Sequence, residues 1–133
     1  MNDGVLSSRF DGQAEETMHR NGFRSEFGDE SRQQVTELSH FDLNALAGEA
    51  RDLRETLWSS IDNKTSKDLD QIEWAERLEN GDIRVLVGIA DVAAYVAKDT
   101  PIDRYAEQNT VTVYTETRIF PMLPEELSTD ITS

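Results

Sequence analysis

Glu79-Asn80-Gly81-Asp82-Ile83-Arg84-Val85-Leu86-Val87-Gly88-Ile89-Ala90 is a turn signal followed directly by an alternating apolar run. Asn-Gly tolerates the positive φ angles of a type I′ turn, so the segment predicts a hairpin near residues 72–91, with its first strand over 72–78. Ile83, Val85, Val87 and Ile89 form one face of the second strand, while Leu86, Gly88 and Ala90 make the other face apolar too. A strand that is apolar on both faces is expected in the middle of a sheet. Downstream, Thr100-Pro101 predicts a helix near 101–108, with Thr as cap and Pro in the first turn. Residues 110–119, rich in Val, Thr and Tyr, predict another strand, and 120–133, with Pro121 and Pro124, read as loop.

Upstream, residues 57–61 predict a short strand. Leu43, Leu46, Ala50, Leu53 and Leu57 recur at helical spacing behind Asp42 as N-cap, with Gly48 as a weak point. Residues 1–40 are polar. A short helix is expected over 13–21 with Gly22 as its left-handed cap, and 24–34 read as linker. The order is that of an α+β fold, mainly antiparallel. It divides into a poorly ordered or partly helical segment, 1–40, and a domain beginning at 41.

One domain is what 133 residues allow. Cysteine is absent, which excludes disulfide scaffolds, zinc ribbons and thiol nucleophiles. No apolar run approaches the ~20 residues of a membrane helix, and no basic and apolar leader opens the chain. Mean hydropathy is −0.61. These features lead to the expectation of a cytoplasmic protein without a membrane partner. Twenty-seven acidic against 13 basic residues give a net charge of −14, which excludes a nucleic-acid binder that works through a basic patch alone.

The chemistry concentrates in Asp62-Asn63-Lys64-Thr65-Ser66-Lys67-Asp68-Leu69-Asp70-Gln71. Carboxylates crowded between two strands repel one another unless a cation sits among them, and hard divalent ions prefer oxygen ligands. An EF-hand does not fit: with Asp62 at position 1, Lys64 falls at position 3 and Lys67 on the obligatory glycine. A solvated acidic loop is the plain alternative. His19 and His40 read as surface residues, and Trp58 and Trp74 as core. Asp91 reads as a buried, supporting carboxylate. Ser59 and Ser60 have no histidine at motif spacing, so serine nucleophilic catalysis is unsupported.

Ile61-Asp62-Asn63, Thr65 and Asp68-Leu69-Asp70 resemble the metal-binding signature of the RNB domain of the ribonuclease II / ribonuclease R exoribonucleases. Gly88-Ile89-Ala90-Asp91-Val92 with Tyr95-Val96, Ile102-Asp103 with Ala106, and Val113-Tyr114 with Ile119-Phe120-Pro121-Met122-Leu123-Pro124-Glu125-Glu126-Leu127-Ser128 continue the likeness in order. It covers about residues 51–132. The resemblance implies a magnesium-dependent hydrolase that shortens single-stranded RNA from its 3′ end. It assigns Asp62, Asp68 and Asp70 to the metal site, with Asp70 the most closely tied to catalysis, and Tyr114 to an aromatic that packs on a base. The family's fourth aspartate falls on Gln71, a neutral oxygen that would hold a second ion less tightly. Family catalytic domains are much longer, so residues 41–133 are expected to be the N-terminal part of one, with little activity alone and self-association through exposed apolar surface. The rival reading is a non-catalytic relic or small acidic binding module holding a structural cation or no ligand.

Overall fold

The computed structural model describes residues 3–40, 51–66 and 69–132, with the backbone course only for 3–9. Two helices lead: α1 (Asp3–Arg20) and α2 (Asp29–Leu38). A hairpin of β1 (Gln71–Arg77) and β2 (Ile83–Ile89) follows, then a single 3-10 turn at Val92–Ala94 and α3 (Pro101–Asn109). A miniature hairpin of β3 (Val113–Tyr114) and β4 (Ile119–Phe120) leads into a closing π-helical turn, Leu127–Ile131. Both sheets are antiparallel. The fold is α+β.

The hairpin stands where the sequence predicts it, with a different turn. Pairing runs from Gln71↔Ile89 to Arg77↔Ile83, and the Leu78 N–H bonds to the Asp82 carbonyl at 2.8 Å. Three residues therefore form the loop. The Gly81 N–H closes on the Leu78 carbonyl at 3.0 Å, and Gly81 alone takes a positive φ, +93°. A type I′ turn needs two such residues; a turn followed by one left-handed glycine fits a three-residue loop. Nor is β2 a central strand: among the described residues it pairs with β1 alone. Ile83, Val85, Val87 and Ile89 are 60, 58, 57 and 73% exposed.

The other predicted strands shrink. Residues 57–61 contribute one bridge, Ser59↔Glu73. Residues 110–119 are broken by a turn: the Thr115 N–H bonds to the Arg118 carbonyl at 3.0 Å, and the Thr115 hydroxyl accepts the Arg118 N–H at 3.0 Å. Most of the helix expected after Asp42 lies outside the described residues, and residues 51–57 are coil and turn.

The N-terminal helices are held by tertiary contacts that apolar periodicity does not advertise. α1 extends well beyond 13–21, and α2 begins inside the stretch read as linker. Gly22 does take the left-handed position, at φ +85°. The core joins Val96, Ile102 and Leu127 to Val35 and Leu38 of α2 and to Tyr95, Leu123 and Ile131. Asn109, fully buried, donates to the Arg24 carbonyl at 3.0 Å and accepts the Arg24 N–H at 2.9 Å, so the α1–α2 connector is pinned to the end of α3. The Thr100 side chain does not cap α3. Its hydroxyl turns back to the Ala97 carbonyl, and Gln34 of α2 accepts the Ile102 N–H at 3.0 Å instead. An orphan helix donor is thereby satisfied by a neighbouring helix.

Candidate functional site

Backbone pairing at one end of the β1–β2 hairpin gathers the aspartate segment. Ser59 and Glu73 exchange both backbone hydrogen bonds, at 2.9 and 2.8 Å, and the Ser59 hydroxyl also donates to the Glu73 carbonyl at 3.1 Å. The pairing is antiparallel, so the chain after Ser59 and the chain before Glu73 leave it in the same direction. Asp62 lies three residues along the first arm and Asp70 three along the second. On the far side of β1, the Ala90 N–H bonds to the Asp70 carbonyl at 2.8 Å, which carries the ladder one residue beyond the strand and brings Asp91, the next residue, to the same end of the hairpin.

Asp62, Asp70 and Asp91 are all exposed at this end. The Asp62 carboxylate accepts the Ser60 hydroxyl. Asn63 shapes the loop: its side-chain oxygen accepts the Thr65 N–H at 2.9 Å and the Thr65 hydroxyl at 2.7 Å, while its carbonyl accepts the Ser66 N–H at 3.2 Å. Asp68 lies outside the described residues. Among the described residues, no three His, Cys, Asp or Glu side chains converge closely enough to hold a metal ion. The donor set is oxygen only, hard and anionic, which suits magnesium in kind.

Gln71 opens β1 on the face it shares with Ile89 and Glu73. Tyr114 lies in the second sheet, 66% exposed, so it is not the core residue that its strand position alone suggests. Asp91 departs from expectation in the same direction, being exposed where a buried carboxylate was read. Counting the hairpin register outward from the turn pairs Ala90 with Asp70 and sets Asp91 opposite Leu69, one position farther along. His19 and His40 are exposed; His19 Nε2 lies 3.0 Å from the Ser25 hydroxyl. Trp58 and Trp74 are half-buried, and the Trp58 indole N–H donates to the Leu53 carbonyl at 2.9 Å. Among the described residues no helix is long and apolar enough to cross a membrane.

Comparison with known proteins agrees with this architecture. The family model for the RNB domain matches residues 50–133, more than half of the chain. Ribonuclease R 1 of Lactococcus lactis is 42% identical over 90 residues, covering 68% of this chain and 11% of that protein. Ribonuclease R of Acidithiobacillus ferrooxidans is 38% identical over 112 residues, covering 84% and 25%. Mycoplasma genitalium RNase R, solved with double-stranded RNA, superposes with a TM-score of 0.75 at 34% identity, over 87% of this chain and 20% of that one. The same protein solved with ribose methylated single-stranded RNA gives the same score. The chain thus spans from about a tenth to a quarter of the curated relatives it matches. It belongs to the RNB domain family, whose matched members here are ribonucleases.

Proposed function

We propose that this chain is the metal-binding part of a magnesium-dependent exoribonuclease that hydrolyses single-stranded RNA from the 3′ end. The observation that carries the reading is the arrangement of the Ser59–Glu73 bridge and the Asp70–Ala90 hydrogen bond within an RNB domain match: together they bring the arms bearing Asp62 and Asp70 to one end of a hairpin. In this reading Asp62, Asp68 and Asp70 hold the ion, and Gln71 offers a neutral oxygen to a second one. Bound magnesium supplies an activated water and charge stabilisation for the leaving oxygen.

The chain's own contribution is positioning. The β1–β2 ladder fixes Asp70 at a strand end, the side chain of Asn63 shapes the turn that follows Asp62, and the Ser60 hydroxyl orients the Asp62 carboxylate. Tyr114, exposed, offers a ring face to a terminal base, an interaction worth ~1–3 kcal/mol. At the aspartate end of the hairpin, RNA meets a chain of net charge −14 through the ion. A cytoplasmic setting belongs to the same reading, as does a domain start at residue 41. The 133 residues alone, covering a small share of the relatives, are expected to bind magnesium with little sustained hydrolysis.

Calorimetric titration of magnesium into the chain and into Asp70→Asn tests this. Loss of at least tenfold in affinity in the variant supports the reading. Equal binding, or none in either, removes the metal-site assignment and leaves the non-catalytic acidic module. Processive shortening of 5′-labelled single-stranded RNA by the 133-residue chain would contradict the expected low activity.

A further inference from the structure

A second feature lies farther along the same hairpin. Leu53, Trp74 and Leu86 floor a groove of about 390 Å³ whose rim is Arg51, Thr56 and Arg84. Trp74 and Leu86 are directly paired across the hairpin, as are Glu76 and Arg84, so β1 and β2 deliver the indole and the guanidinium to one face. Arg84 spends one nitrogen on Glu76, at 2.8 Å, and keeps its remaining N–H donors. Arg51 makes no ion pair among the described residues. In a chain with 27 acidic and 13 basic residues, two arginines around one half-buried indole form a local exception to the surface charge.

The groove is also in line with the candidate site. Asp70, Ile72, Trp74 and Glu76 are alternate residues, and alternate residues of an extended chain share a face. At ~3.3 Å per residue, Trp74 lies ~13 Å from Asp70 along β1, a span of about four stacked nucleotides. Between them the face is kept low by Gly88: a Cβ there would sit 2.9 Å from Ile72 Cγ1, so only glycine lets Ile72 lie against β2.

We infer that this groove is an RNA subsite, in which Trp74 stacks on a base of a single strand and Arg51 and Arg84 hold its phosphates, a few nucleotides upstream of Asp70. The inference rests on the proposed ribonuclease reading for its ligand class. It differs from that reading in needing no metal, because stacking on an aromatic ring and arginine contacts to phosphate operate without one.

The test is fluorescence anisotropy with a fluorescein-labelled oligoadenylate in EDTA, where hydrolysis cannot intervene. Trp74→Leu, which keeps apolar filling, is expected to bind about tenfold more weakly. Arg51→Gln is expected to weaken binding and lower the slope of log K against log salt by about one. Arg20→Gln, in α1, removes a charge outside the groove and should bind as the unaltered chain does. Circular dichroism melts check that each variant folds. As a second readout, Trp58→Phe leaves Trp74 as the single indole, and its emission should be quenched by the oligonucleotide. Unchanged binding in Trp74→Leu and Arg51→Gln, no quenching, or no binding by the unaltered chain each overturns the subsite. Magnesium affinity lost in Asp70→Asn with RNA binding intact in Trp74→Leu would leave the metal reading standing and sink this one; the converse pattern would do the reverse.

Discussion

Ser59 and Glu73 exchange both of their backbone hydrogen bonds, at 2.9 and 2.8 Å, and this single bridge controls where Asp62 stands relative to Asp70. Among the described residues, β1 would without it be fixed by β2 alone, and the arm carrying Asp62 would have no other backbone tie to the hairpin. Ser59→Pro removes the donated N–H and should reduce magnesium affinity several-fold while leaving α-helical content unchanged. Ser59→Ala removes only the hydroxyl bond and should change affinity little. Calorimetry with far-ultraviolet circular dichroism distinguishes the two.

Gly88 should tolerate no β-branched residue. Its missing Cβ leaves the space that Ile72 fills, at 2.9 Å to Cγ1. Gly88→Val forces Ile72 off the strand and is expected to cost ~1–3 kcal/mol, read from the urea midpoint at constant m-value. Pairing Gly88→Val with Ile72→Ala should recover part of that loss.

Arg118 ties the N-terminal helices to the C-terminal hairpin. Its guanidinium pairs with Glu15 of α1 and with Glu26 at 2.8 Å, and its carbon lies 4.8 Å from the centre of the Phe120 ring. Because the side chain is only 32% exposed and meets two carboxylates, Arg118→Gln should destabilise by ~1–2 kcal/mol, more than an isolated surface pair does. The loss should shrink as salt is raised, which chemical denaturation at two ionic strengths would show.

The open face of β2 should drive self-association. Ile83, Val85, Val87 and Ile89 form a contiguous apolar stripe, opposed by a net charge of −14. Sedimentation is therefore expected to show oligomers that grow with concentration and with salt, as screening weakens the repulsion. Val87→Lys should return the chain to monomer. Monomeric behaviour of the unaltered chain at high salt would show that the stripe is tolerated.

The parts of the fold that were legible in advance are those written by local chemistry. Asn80-Gly81 announces the hairpin, Pro101 the start of α3, and Gly22 the end of α1, because each residue type answers a backbone requirement at its own position, whereas the expected Thr100 cap is replaced by Gln34. The turn type escaped because loop length depends on the register of both strands rather than on the Asn-Gly pair. α2 escaped because its stability comes from Val35 and Leu38 in a distant core and from Gln34 bonding to Ile102, none of which leaves a helical apolar stripe in a polar segment. At the site, the residue types in 62–71 pointed to hard-cation chemistry. What periodicity could not supply was the Ser59 bridge, a contact between segments whose pairing no motif marks, or the exposure of Asp91 and Tyr114.

The central claim is that the Asp62–Asp70 end of the hairpin is where a divalent ion binds. Paramagnetic broadening of backbone amide resonances by substoichiometric Mn²⁺, standing in for magnesium, tests this directly. Selective loss of signals from residues 60–66, 69–72 and 90–92, abolished by Asp70→Asn, is the predicted result. Broadening spread across the acidic residues of α1, α2 and the closing turn, or broadening unchanged in Asp70→Asn, would contradict it and make these aspartates part of a solvated acidic surface.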